Sequence, residues 1–228
     1  LLWGLVGAVA LGVVGARLLF ALEFPERFPD LRSVLDVRRP GFSIIGGLTA
    51  GIGGLFGLAR VTGIPLLTIL DVYFRGIPLV QVSGRIGCFV EGCCYGLPCT
   101  VGPGICVTFP THSPAWRGQV ARGLLDPGAA RSLPVHAAQL YDAAAMVLVF
   151  LALQWWARRP RARGELFALY LMLYALVRFT VEFARGDEHR VGDLWTPAQL
   201  YALVFGPLGA LLWWLARRGE RTASPGPK

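Results

Sequence analysis

Apolar residues occur in this chain as long blocks rather than alternating with polar ones. The blocks cover residues 1–22, 42–59, 61–82, 137–157, 165–184 and 198–216. A helix needs roughly 17 to 25 apolar residues to cross a ~30 Å hydrocarbon core, and each block is of that order. The pattern predicts an all-α polytopic transmembrane helix bundle of about six spans, forming one domain over 1–216. Residues 97–135, rich in Gly and Pro, predict an irregular external loop region with short arm-like elements, and residues 217–228 a basic cytoplasmic tail.

Composition supports a lipid-embedded chain. Hydrophobic residues make up 54% and charged residues 16% of the sequence, whereas soluble proteins carry about a quarter charged residues. Disorder, a coiled coil and an ordinary soluble enzyme are therefore excluded. The net charge of +8 raises nucleic acid as a partner, but the positions of the arginines give a different explanation. Trp155 and Trp156 precede Arg158, Arg159, Arg161 and Arg163, and Trp213 and Trp214 precede Arg217, Arg218 and Arg221. An aromatic belt followed by a basic segment marks the cytoplasmic end of a span, so no nucleic-acid partner is expected. The segment 186–197, where Asp187, Glu188 and Asp193 face a single Arg190, is then external, as is 98–135, and Leu1 lies at the cytoplasmic face. No charged segment precedes the first apolar block, so it is read as a span and not as a signal peptide.

Within the spans, Gly47 with Gly51 and Gly53 with Gly57 follow a small-xxx-small spacing that predicts close helix packing. Asp71 and Arg75, four apart near mid-span, are expected to form a structural pair. The other intramembrane polar groups gather at the external ends of the spans. They are Arg17, Arg85, Glu91, His136, Gln139, Tyr141, Arg178, Glu182, Arg185 and Gln199. Polar groups at membrane depth point to function, although Arg178 and Glu182 would equally serve as a self-neutralising pair. Arg17, Arg85, Arg178 and Arg185 outnumber the acids expected beside them, and guanidinium grips phosphate with paired hydrogen bonds. A phospholipid headgroup is the phosphate available at that level. The run 83–96, with four glycines and two charges, predicts irregular backbone that is not helical and lines a wet cavity.

The cysteines at 88, 93, 94, 99 and 106 all lie on the inferred external side, where disulfides persist. No paired C-x-x-C spacing or zinc-type His pattern accompanies them. One or two disulfides bracing the loop are expected, and no metal; a thiol that carries lipid transiently is a further reading.

The run Gly84-Arg85-Ile86-Gly87-Cys88-Phe89-Val90-Glu91-Gly92-Cys93 resembles the signature of the prolipoprotein diacylglyceryl transferase family. Cys88, Glu91 and Cys93 stand where that family usually has Asn, Asn and Glu. The resemblance continues in order. Gly15-Ala16-Arg17, Ile45-Gly46-Gly47-Leu48, Asp71, His136-Ala137-Ala138-Gln139-Leu140-Tyr141-Asp142, Arg178-Phe179-Thr180-Val181-Glu182-Phe183-Ala184-Arg185 and Gln199-Leu200 are each similar to a family motif. Six spans against the family's usual seven imply a chain lacking the first helix.

What the resemblance implies is transfer of diacylglyceryl from phosphatidylglycerol to the lipobox cysteine thiol of a preprolipoprotein, without cofactor. The enzyme would sit in the bacterial inner membrane with its site facing the outer leaflet. Arg85 and Arg178 would hold the phosphate, Glu182 would orient Arg178, and His136 would be the base. Arg17, Gly84, Gly87, Glu91, Gln139, Tyr141, Arg185 and Gln199 would bind substrate. Ile45 replaces a family His, which leaves a second reading: a diverged, non-catalytic membrane protein that binds anionic phospholipid or exported peptide.

Overall fold

The computed structural model describes residues 2–36, 41–100, 103–186 and 195–223. Eight α-helices occur among them: α1 (Leu2–Glu23), α2 (Leu31–Leu35), α3 (Ile44–Thr62), α4 (Leu66–Glu91), α5 (Pro114–Ala121), α6 (Ala138–Trp156), α7 (Glu165–Val181) and α8 (Pro197–Ala223). Two short strands, β1 (Cys106–Val107) and β2 (Val135–His136), and two 3₁₀ turns complete the described elements. Six long helices thus stand where six apolar blocks predict them. Five of these (α1, α4, α6, α7 and α8) are long and apolar enough to cross a membrane. Large apolar side chains lie exposed on α1, α4, α6 and α8, a pattern that suits lipid and not water. The protein is a multi-pass membrane protein.

The chain divides into two compact units, 1–73 and 74–228. In the first, α1 packs on α3 at van der Waals distance along a glycine seam. A Cβ at Gly15 would lie 2.7 Å from the Gly46 carbonyl oxygen, and one at Gly46 would lie 2.4 Å from that of Gly15, so no side chain fits at either position. Gly47 and Gly51 face α1, as their spacing predicts, whereas Gly53 and Gly57 face open space. Ala8, Leu55 and Ile69 form the buried centre of this unit.

In the second unit, Met146, Val149 and Leu153 of α6 pack against Leu166, Tyr170 and Leu171 of α7. Gly209 of α8 lets that helix approach the Ala168 carbonyl of α7. At the basic ends the arginines lie against the neighbouring tryptophans. Arg159 lies over the Trp155 ring and Arg218 over the Trp214 ring, and Arg217 bridges 2.8 Å to the buried Glu165. Arg217 and Arg218 belong to α8 itself, which continues to Ala223, so the basic segment begins inside the helix.

The loop region at the other end of these helices is more ordered than arm-like elements suggest. Strands β1 and β2 pair antiparallel, with Cys106 opposite His136. Helix α5 starts at Pro114 behind an N-cap in which Ser113 accepts from the Trp116 amide at 3.3 Å. Tyr95, Phe109, Ala115 and Val135 form a small core beneath it.

One expectation is corrected here. The glycine-rich run is helical as far as Glu91, and α4 stops only at Gly92, whose φ of +77° ends it. Each helical glycine costs up to about 1 kcal/mol, but a backbone polar group left unsatisfied in hydrocarbon costs several, so Gly84 and Gly87 stay in the helix. At Gly92 a Cβ would also strike the Phe109 ring at 2.9 Å.

Candidate active site

Residue Arg85 lies in the last two turns of α4, Gln139 and Asp142 in the first turns of α6, and Arg178 in the last turn of α7. Helix direction therefore brings all four to one level, at the end bearing the loop region. Arg85 Nε is 2.7 Å from Asp142 Oδ2, and Arg178 Nη1 approaches the same oxygen at 4.0 Å. Arg178 Nη2 lies 3.1 Å from Glu182 Oε2, and Arg185 Nε is 4.0 Å from that oxygen. Three guanidiniums thus meet two carboxylates in one chain of ion pairs. Asp142 is 5% exposed, Glu182 3% and the neutral Gln139 1%, so the two carboxylates are shielded from water and interact strongly with the arginines.

This network is incompletely hydrogen-bonded. Among the described residues, Arg178 Nη1, Gln139 Oε1 and both carboxylate oxygens of Glu182 are buried without a hydrogen-bond partner. Glu182 is close enough to Arg178 for ionic attraction, but their alignment is not that of a hydrogen bond. Buried polar atoms are nearly always satisfied, and an orphan of this kind costs about 1–3 kcal/mol. A donor, Arg178 Nη1, and an acceptor, Gln139 Oε1, are thus both left over at this end of the helices. Their complement is a ligand that offers an anionic oxygen and a hydroxyl. Gln139 is held in place from its other end, where Nε2 donates to the Cys93 carbonyl at 2.6 Å.

Asp142 was not among the expected site residues. It carries the link between Arg85 and Arg178, and its signal was available: it follows Gln139 by three residues and so shares that helix face, and it places a charge at the buried end of a span.

The other expected residues are placed as follows. Arg17 lies in the first unit, where backbone carbonyls take up its guanidinium: Val34 at 2.8 Å, Gly41 at 2.8 Å, Asp36 at 2.8 Å and Ser33 at 3.3 Å. It ties α1 to the α2 segment. Gln199 closes a capping box at the start of α8. Its Oε1 accepts from the Thr196 amide at 3.1 Å, and Thr196 Oγ1 accepts from the Gln199 amide at 3.3 Å. His136 is buried, with Nδ1 3.2 Å from the Tyr141 hydroxyl, and that hydroxyl accepts from the Ile105 amide at 2.7 Å. Gly84, Gly87 and Glu91 lie on exposed positions of α4. Arg75 donates to Gln154 at 2.6 Å, across to α6, and Asp71 is buried in the first unit. The side chain of Ile45, and residues Asp187, Glu188, Arg190 and Asp193, lie outside the described residues.

Of the cysteines, Cys99 and Cys106 form the expected loop disulfide. Cys88, Cys93 and Cys94 stay outside it, with their sulfur atoms all within 4.8 Å of one another. Burial, together with the neighbouring Cys94 and Cys88, pushes the Cys93 thiol up to about 12.

A family model described as prolipoprotein diacylglyceryl transferase matches residues 2–215. The chain belongs to the prolipoprotein diacylglyceryl transferase family. It is 32% identical over 226 residues to the phosphatidylglycerol–prolipoprotein diacylglyceryl transferase of Xanthomonas oryzae pv. oryzae, covering 96% of this chain and 75% of that one. Identity to the Clostridium tetani enzyme of the same name is 27% over 205 residues, 89% of this chain and 76% of that one. The Neisseria gonorrhoeae enzyme is 29% identical over 205 residues, 85% and 69% of the two chains. The diacylglyceryl transferase match spans both compact units, so the ion-pair chain of α4, α6 and α7 lies inside the region that defines the family.

Proposed function

We propose that this transferase binds phosphatidylglycerol with its phosphate on Arg178 and Arg85 and passes the diacylglyceryl group to the lipobox cysteine thiol of a preprolipoprotein. The observation that carries this reading is the buried, unpartnered Nη1 of Arg178. It stands 4.0 Å from Asp142, close enough to be attracted but not bonded, so a phosphate oxygen can take its hydrogen bond. Glu182 and Asp142 orient the two guanidiniums, and Gln139 Oε1 accepts from a glycerol hydroxyl of the headgroup.

In the transfer, sulfur attacks the glyceryl carbon and the carbon–oxygen bond to phosphate breaks. The electron pair stays on the departing phosphate oxygen of glycerol phosphate. Arginine donors aimed at that oxygen stabilise the charge as it develops, an effect often worth a hundredfold or more in rate, roughly 3 kcal/mol. Arg185 supports Glu182. His136 and Tyr141 hold the 105 segment against the start of α6 and act as positioning residues; the proton of the acceptor thiol leaves by another route. Arg17 and Gln199 position helices rather than touch lipid.

The basic segment 158–163 and the basic end of α8 lie opposite the ion-pair chain along α6, α7 and α8. By the positive-inside rule they face the cytoplasm, which supports a site at the outer leaflet of the bacterial inner membrane. The test is lipid transfer in nanodiscs of phosphatidylglycerol with a lipobox peptide. Wild type forms the thioether, and Arg178→Ala, although folded, does not; wild-type turnover by that variant would refute the assignment.

A further inference from the structure

Beside the ion-pair chain sits a group of side chains that the transfer scheme leaves unused. Cys88 is in the last turn of α4, and Cys93 and Cys94 lie on the turn that follows Gly92. Their sulfur atoms all fall within 4.8 Å of one another, and each residue is half-buried. Zinc bound to thiolates at about 2.3 Å with tetrahedral angles sets sulfur atoms about 3.8 Å apart. The sulfurs would have to draw in by about 1 Å or less to reach that spacing. Among the described residues the group has three members and no fourth carboxylate, imidazole or thiol. A site closed by four protein ligands is structural, whereas three ligands leave a position for a reactant.

The location is specific. Cys88 follows Arg85 by three residues on α4, which sets the two on the same helix face. The Cys93 carbonyl holds Gln139 at 2.6 Å, and Gln139 lies three residues before Asp142 of the ion-pair chain on α6, with its Oε1 buried and unpartnered. The thiol group therefore borders the seat assigned to the lipid headgroup.

We propose that Cys88, Cys93 and Cys94 form a three-thiolate zinc site whose open fourth position binds the acceptor cysteine of the exported peptide as a thiolate. The inference rests on the transferase reading above. An unbound thiol of pKa about 8.5 is only about 3% ionised at pH 7, and His136 is already engaged with Tyr141. On zinc the acceptor thiol loses its proton to water. Its sulfur then forms the carbon–sulfur bond as the carbon–oxygen bond to phosphate breaks, and the uncharged thioether, a poorer ligand than thiolate, leaves the metal.

The experiment uses the full chain in nanodiscs, purified without added metal, and reads metal content, cobalt spectra and transfer from the same preparation. The expected result is one zinc per chain, lost in Cys88→Ala and Cys93→Ala. Cobalt in its place should show thiolate charge-transfer absorption that rises by about a third, from three thiolates to four, on adding lipobox peptide but not its Cys→Ser form. Chelation of wild type should cut transfer at pH 7 at least tenfold, with recovery on one equivalent of zinc. The chelation arm needs no variant, so misfolding of a cysteine variant does not shield the inference. Absence of zinc, copper(I) in its place, disulfide formation within the group, or a cobalt spectrum unmoved by the peptide would each overturn it. Metal-free protein that transfers lipid at full rate overturns the zinc site alone. Zinc-loaded protein with no transfer under any condition overturns the transferase reading instead.

Discussion

Asp142 Oδ2 lies 2.7 Å from Arg85 Nε, an ion pair that joins the end of α4 to the start of α6. Because the same oxygen also attracts Arg178, Asp142 sets the spacing between the two guanidiniums assigned to phosphate. Breaking a buried pair by removing one partner typically costs 3–5 kcal/mol, with the lower end fitting a partly exposed Arg85. Asp142→Ala should lower thermal stability by about 3 kcal/mol and transfer by at least tenfold, and Asp142→Glu should recover part of both. Thermal unfolding and thioether formation in nanodiscs check this.

Charge alone does not account for the role given to Arg178. A lysine keeps the charge but loses the planar fork that directs one nitrogen to Glu182 and another to the ligand. Arg178→Lys should therefore lose tenfold or more in turnover while still partitioning phosphatidylglycerol into the site, as a steady-state comparison of kcat and KM will show.

The capping box of Thr196 and Gln199 separates structure from catalysis. Thr196→Ala removes the hydroxyl that accepts from the Gln199 amide, at a cost of about 1 kcal/mol. The variant should unfold at a lower temperature and keep most of its turnover. A loss of a hundredfold in kcat without a change in stability would return Gln199 to the reaction.

Arg17 is expected to behave similarly but with a larger effect on stability. Arg17→Ala leaves four carbonyls without their donor, and a hydrogen bond to a charged group contributes about 1.5–3 kcal/mol. Arg17→Lys should fail to rescue it, because a single ammonium does not span all four. Thermal stability measured for the three proteins decides the point.

Thiol chemistry reports on the Cys93 environment in metal-free protein. Its folded value of about 12 lies above the ordinary 9.0, so folding favours the neutral thiol. The stabilisation is complete below about pH 9 and is lost as pH climbs toward 12. Alkylation of Cys93 in folded protein should be slow at neutral pH and accelerate upon unfolding, as read by mass spectrometry of labelled peptides.

How much of this was legible in the sequence follows from what each feature depends on. The six long helices, five of them long and apolar enough to cross a membrane, and the Gly47–Gly51 seam are set by local composition and spacing, and both are found. The end of α4 does not follow from its glycines, because in lipid the unmet backbone decides, and the helix runs on to Glu91. Arg17 and Gln199 are polar groups at depth whose partners are backbone groups, and for Arg17 no side-chain pattern reveals them. The capping-box spacing from Thr196 to Gln199 was present and would have shown the second case. Asp142 stands within a family-like motif, but its pairing with two arginines on other helices depends on how α4, α6 and α7 pack. The grouping of Cys88, Cys93 and Cys94 depends on how the turn at Gly92 folds back over α4, which spacing alone does not give.

The central claim is that Arg178 Nη1 waits for a phosphate oxygen. An experimental density map of the protein in phosphatidylglycerol nanodiscs tests it most directly. The account predicts a headgroup phosphate about 3 Å from Nη1, with a glycerol hydroxyl donating to Gln139 Oε1. A phosphate bound elsewhere, with Arg178 closed onto Asp142, would contradict it.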